Sequence, residues 1–365
     1  MQKYLLLPFF LGLSTVGFAQ DEFDITIEEE PETRSATGSF GQRLAKEASF
    51  VNFNGYITNE FKSVQGRDPS FDQHYFNVFI SSQLTSRISV EGQLEYEHAG
   101  KDIDLRYGFA DYELIEEALI IRSGKFLVPA GEFNEYLYPE YLSKTVERAY
   151  VNREITPSAW GEVGVQARGR LTKLSPKVIP YYSVYVVNGL HGEEGAGIRD
   201  LRGNDRDKSA NGNKAIGANL GIEVANIKFS TNYYQGKYTN DNQLGLSILG
   251  TSFYMDREKL SIWSEAHTAN QQIFTDIDQN EITSLRKYGY YVLVGYKITE
   301  HWEPVVRYDQ IVLDDAPEAD RNRLTLGLNY HIAKNAVVKT NYDIIQNGGE
   351  DVEDNQFSLQ LSIGF

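Results

Sequence analysis

Residues 322–333, NRLTLGLNYHIA, decide the fold: Leu324, Leu326, Leu328 and Tyr330 alternate with Thr325, Gly327, Asn329 and His331. Side chains of an extended chain point to opposite faces with a period of two, so this is a strand with one apolar and one polar face. KYGYYVLVGYKIT, residues 287–299, repeats the pattern, with Tyr288, Tyr290, Val292, Val294, Tyr296 and Ile298 opposing Lys287, Gly289, Tyr291, Gly295 and Lys297. Alternation alone suits both a soluble β-sandwich, apolar face inward, and a lipid-embedded barrel, apolar face outward around a wet lumen.

Moving outward from these strands, sixteen alternating stretches can be counted: 51–63, 74–85, 88–98, 103–115, 118–129, 161–171, 178–189, 213–224, 227–239, 242–256, 259–272, 287–298, 302–314, 322–333, 336–347 and 356–365. The links after even-numbered strands are mostly tiny (SR, EE, AN, RE, TEH, KN), whereas most links after odd-numbered strands are long and polar, such as 191–212 and 273–286. Short turns on one rim and long loops on the other are the mark of an outer-membrane barrel; a sandwich has no reason to segregate them. Tyrosines near strand ends suit the membrane interface, where the ring is half buried and the hydroxyl stays wet. The expected fold is all-β: a transmembrane antiparallel barrel of about sixteen strands.

The two ends fit that expectation. MQKYLLLPFFLGLSTVGFAQ has a lysine-bearing start, a short apolar stretch and a small Ala19, the layout of a cleaved signal peptide over residues 1–19. Residues 20–50 form an acidic segment without strand pattern, assigned to the periplasm, and the barrel is expected over 51–365. The last stretch, NQFSLQLSIGF (355–365), alternates up to a terminal Phe365. A closed barrel needs its last strand paired with its first, leaving no open edge in lipid. A terminal Phe also resembles the signature recognised by the barrel assembly machinery, so Phe365 is the expected assembly signal. Export to the outer membrane of a Gram-negative type cell follows, with outer-membrane lipids and lipopolysaccharide as partners.

With 365 residues the chain can bury a core without any cysteine, and it has none. A net charge of −16 without a basic cluster excludes nucleic acid as a partner. The six histidines sit in no nucleophile or metal-ligand spacing, so neither an enzyme, a cofactor nor a metal is expected.

One interruption differs from an ordinary link. Residues 130–160, AGEFNEYLYPEYLSKTVERAYVNREITPSAW, mix aromatic and charged residues in the longest gap between strands. A barrel of this size encloses an aqueous lumen, and a long loop folded into it would narrow the channel and select what passes.

Around this gap, IRSGKFLVPAGEFNE (121–135) and VNREITPSAWGEVGVQARG (151–169) resemble the phosphate-selective porin O and P family, in which a GKF strand leads into the constriction loop and a tryptophan-containing stretch enters the next strand. YYSVYVVNG, GYYVLVGYKIT, WEPVVRYD and LTLGLNYHI resemble later family strands in the same order, so the likeness runs from about Phe53 to Phe365. The resemblance implies a sixteen-stranded porin, usually a homotrimer, whose third external loop folds into the lumen.

Parity places Arg106, Arg168, Arg170, Arg307, Glu162, Glu265, Glu303 and Asp309 on the lumen face, while Lys144, Arg148 and Arg153 are the loop cations expected at the pore constriction. Both signs line the pore in near balance. The expectation is therefore passive diffusion of small hydrophilic solutes with some preference for anions such as phosphate, because an anion exchanges hydration for cationic donors. The alternative is an adhesion or binding barrel without an open channel. Parity leaves Arg122 and Lys125 unresolved, since both cannot face the lumen without a bulge.

Overall fold

The computed structural model describes residues 51–175, 177–202, 214–276, 281–314, 317–349 and 354–365. The expected signal peptide and acidic segment, 1–19 and 20–50, lie outside the described residues. From Val51 onward the chain forms sixteen antiparallel strands: β1 (Val51–Val64), β2 (Ser70–Gln83), β3 (Ile88–Glu97), β4 (Asp102–Ile115), β5 (Leu119–Leu127), β6 (Gly161–Arg170), β7 (Val178–Val187) and β8 (Ala215–Val224) make the first half. The second half is β9 (Ile227–Lys237), β10 (Gly245–Asp256), β11 (Leu260–Asp276), β12 (Glu281–Tyr296), β13 (Trp302–Leu313), β14 (Arg321–Ala333), β15 (Ala336–Asn347) and β16 (Gln356–Gly364). Each strand pairs with its sequence neighbours, and β1 pairs with β16, closing the barrel.

Closure rests on residues at both ends of the ladder. Tyr56 pairs with Gly364, and Gly55 and Phe365 exchange backbone bonds of 2.8 and 2.9 Å. A Cβ on Gly55 would lie 2.4 Å from the carbonyl oxygen of Asn77 and 2.6 Å from the Phe365 ring, so the seam requires glycine there.

Burial settles which face meets lipid. On β14, Leu326 and Leu328 are 46% and 43% exposed, whereas Thr325 and Asn329 are 1% exposed. Val292, Val294, Val306, Leu220 and Ile222 are likewise exposed on other strands, while Asn77, Gln93, Lys339 and Asp343 are buried inside. An apolar exterior around a polar interior is the arrangement of a barrel in a bilayer, where lipid tails cover the outer residues.

Two boundaries depart from the sequence expectation. Residues 273–286 were expected as a loop, but β11 and β12 continue pairing through Phe274–Ile282 to Asp276–Glu281. The β-branched residues Ile273, Thr275, Ile282 and Thr283 favour extension and carry the hairpin onward. In addition, β2 starts at Ser70 rather than at residue 74. Thr58 pairs with Tyr75 and Glu60 with Asp72, so Gln73 and His74 together oppose Asn59. This bulge breaks the alternation that sequence reading relies on.

Arg122 and Lys125 also separate cleanly. Arg122 pairs in register with Asp111 and donates to its carboxylate at 2.8 Å through both Nε and Nη2, over the ring of Phe109. Lys125 stands opposite Gly108 and Val163, at register positions of the other parity.

Candidate functional site: the lumen loop

The β5–β6 link, residues 128–160, turns inward as soon as β5 ends. Gly131 sits at φ +89°, and a Cβ there would lie 2.5 Å from Glu265 Oε1 on the opposite part of the wall. Only a glycine lets the backbone approach that closely. Phe133 N then donates to Glu265 Oε1 at 2.9 Å, and Asn152 Nδ2 to Glu265 Oε2 at 2.6 Å. One carboxylate thereby holds both arms of the loop.

The rest of the loop is fastened around the interior. Glu132 accepts from Tyr181 at 2.8 Å and from Lys228 at 3.1 Å, and Glu135 pairs with Arg168 at 3.0 Å. Asn341 accepts from Val146 N at 2.6 Å; Lys62 pairs with Glu147 at 2.8 Å; Lys339 donates to the carbonyl oxygen of Glu140. Beneath these polar contacts lies an apolar anchor in which Val151, Ile155 and Trp160 pack with Leu190, Ile198 and Leu201 of the β7–β8 link. Trp160 also meets Tyr234 edge to face at 4.9 Å.

The wall charges singled out by parity are occupied by this loop or by neighbouring strands. Arg307 donates to Thr145 Oγ1 at 2.6 Å and to the carbonyl of Glu147 at 2.5 Å. Asp309 accepts from Tyr150 N at 2.9 Å and from Arg323 at 2.8 Å. Glu303 accepts from Lys144 at 2.6 Å and contacts His331 at 2.9 Å. Glu162 accepts from the Trp160 indole at 2.9 Å and Gly189 N at 3.1 Å, while Arg168 reaches Tyr136 at 2.9 Å. Arg106 and Arg170 instead brace the wall, Arg106 against Glu95, Glu97 and Asp104 and Arg170 against Glu223 at 2.9 Å.

The three loop cations have different surroundings. Lys144 is neutralised by Glu303, as above. Arg153 is half exposed, with Glu154 at 3.6 Å and Glu147 at 3.9 Å. Arg148 donates to Tyr75 at 2.9 Å and to the carbonyl of Ser158 and has no carboxylate within ion-pair distance among the described residues. A fourth cation joins it: Arg202, from the β7–β8 link, donates to Pro157 O at 2.9 Å and to the same Ser158 O at 3.3 Å. Burial, together with Arg106, Arg148 and Arg199, brings the Arg202 guanidinium down to about 10, still charged at neutral pH. Burial pushes the Glu132 carboxyl up against the opposing pull of Lys228; for Glu147 burial also pushes up, but Lys62, Arg323 and Gln356 together outweigh it and hold the carboxyl well below its ordinary range.

Parity could have found Arg323, which shares a face with Thr325. Nothing in the sequence announces Arg202, whose role depends on two links meeting in space.

Residues 249–360 match the family described as Phosphate-selective porin O and P. An uncharacterized protein of Aquifex aeolicus (strain VF5) is 21% identical over 322 residues, covering 78% of this chain and 70% of the relative. The anion-selective porin from Comamonas acidovorans is similar in structure, with a TM-score of 0.63 and 10% identity over 87% of this chain and 99% of that one. OmpT of Vibrio cholerae in its trimer form has a TM-score of 0.57 and 12% identity, again over 87% and 99% of the two chains. At such identities the solved structures speak for the fold. The chain is a closed sixteen-stranded antiparallel barrel that carries, over residues 249–360, the pattern of the phosphate-selective porin O and P family.

Proposed function

We propose that the protein is an outer-membrane porin through which small hydrophilic solutes diffuse passively, with a preference for anions set at the lumen loop. The observation that carries this reading is residues 128–160 seated inside the barrel, with Arg148 and Arg202 converging on one carbonyl oxygen and lacking carboxylate partners among the described residues. In a low-dielectric wall such cations focus the field on a passing ion. Phosphate, a compact anion that guanidinium groups bind through several hydrogen bonds, is one solute they suit. Lys144 contributes less because Glu303 neutralises it; Arg153, partly exposed, adds to the same field. The family pattern and the porin neighbours support a place in the outer membrane, and the trimeric neighbour supports a homotrimer; export by a cleaved signal peptide rests on the pattern of residues 1–19.

A second reading has its own support. The loop buries Lys339, Asp309 and Gln360 on the wall completely, as a barrel used for adhesion or binding with a shut lumen would. Purified protein in planar bilayers under a salt gradient separates the two: stepwise currents with an anion-selective reversal potential are expected, and silence would favour the shut barrel.

Phe365 is proposed as an assembly signal as well as a seam residue, its ring 6.0 Å from that of Phe76. Phe365→Asp should sharply lower the amount of heat-modifiable protein in outer-membrane fractions while leaving the conductance of assembled molecules unchanged. Wild-type levels of Phe365→Asp protein in that fraction would remove both roles.

A further inference from the structure

Away from the arginines, the lumen loop meets the β1–β2 wall through a different set of groups. Glu60 comes from β1, His74 from the β2 bulge and Glu140 from the loop, and one ligating atom from each lies within 4.8 Å of the others. The bulge matters because it turns His74 toward Glu60: Nδ1 is 3.0 Å from Glu60 Oε1 and 3.9 Å from Glu140 Oε1.

Glu140 Oε1 supplies the second observation. Glu140 is 5% exposed, and its other oxygen, Oε2, accepts from Gln360 at 2.9 Å. Oε1 accepts no hydrogen bond among the described residues and is directed at His74 across 3.9 Å. That gap is too long for a hydrogen bond. Two coordination bonds of about 2.0–2.2 Å at a tetrahedral angle hold their ligand atoms about 3.3–3.6 Å apart, so a closing of a few tenths of an ångström would seat a metal ion between them.

We propose that Glu60, His74 and Glu140 form a site for a divalent transition-metal ion of the zinc class, which ties the lumen loop to the barrel wall. One imidazole nitrogen with two carboxylates suits zinc-like ions, whereas calcium takes six to eight oxygens. Lys62, 2.7 Å from Glu60 Oε2, neutralises that oxygen, and Oε1 offers the ion the lone pair that Gln360 does not use. Gln360 orients both carboxylates, its Nε2 donating to Glu60 Oε1 at 2.7 Å as well as to Glu140, and Lys339 holds its Oε1 at 2.8 Å. Outer groups of this kind fix ligand geometry. Nδ1 binds the ion in place of a proton, which passes to solvent, so binding weakens as pH falls.

The test is equilibrium dialysis of chelator-stripped, full-length protein in detergent against Zn²⁺, beside His74→Gln, Glu140→Gln and His98→Ala. Wild type and His98→Ala should each retain one ion per chain, and the other two should bind at least tenfold more weakly. Melting of wild type, but not of Glu140→Gln, should shift upward with Zn²⁺. If His74→Gln fails to assemble, Glu140→Gln, which keeps an amide beside Gln360, carries the comparison. Equal Zn²⁺ binding by wild type and Glu140→Gln, or loss of binding in His98→Ala alone, would overturn the site.

Discussion

Leu326→Arg is expected to destabilise the barrel by about 2–4 kcal/mol, the cost of an arginine facing lipid near the bilayer midplane. Leu326 lies mid-strand on β14, 46% exposed, between Val306 and Tyr342 in register. Ile332 lies at the bulge between His331 and Ala333, beside the 334–335 turn and 51% exposed, and Ile332→Arg should cost only about 0–1 kcal/mol, because a long cationic side chain there reaches the headgroups. Reversible unfolding from lipid vesicles measures both. Equal costs would mean that the outer face is not graded by membrane depth.

The sequence makes the outer face of this comparison legible and the inner face only partly so. Leu326 and Thr325 are told apart by parity alone, because the pleat sends alternate side chains to opposite sides. What parity does not show is that Thr325 sits in a network rather than in bulk water, bonded to Asp343 and 3.3 Å from Arg307 Nη2. The strand count and the inward loop were likewise readable, the first from turn lengths and the second from the length and composition of 130–160. The partners of Arg307, Asp309 and Glu303 were not, because they come from loop residues more than 150 positions away in the chain. Nor was the His74 bulge, since an extra residue erases the alternation that would reveal the strand.

Removing the two half-buried guanidiniums should change selectivity more than removing any other pair of cations. Arg148→Gln/Arg202→Gln keeps amide donors near Ser158 O but deletes both charges. A unit charge at 4 Å is worth about 1–4 kcal/mol between bulk water and a protein surface, and about 1.4 kcal/mol is tenfold in a partition constant. The chloride-to-potassium permeability ratio is therefore expected to fall by about tenfold, with Glu147 and Glu154 then dominating the loop. Arg153→Gln, half exposed and flanked by those two glutamates, should shift it much less. A larger shift from Arg153→Gln than from the double variant would relocate the anion filter to the exposed part of the loop.

On the proposed function, residues 128–160 lie in the conduction path and narrow it. The most direct measurement of this is single-channel conductance of the wild-type protein beside a variant in which residues 132–158 are replaced by a short glycine-serine link. The barrel wall, closed by its own ladder from β1 to β16, should still assemble. Conductance should rise and the reversal potential should lose its anion preference, because the loop and its cations leave the path together. Unchanged conductance and unchanged reversal potential in correctly assembled variant would contradict the account.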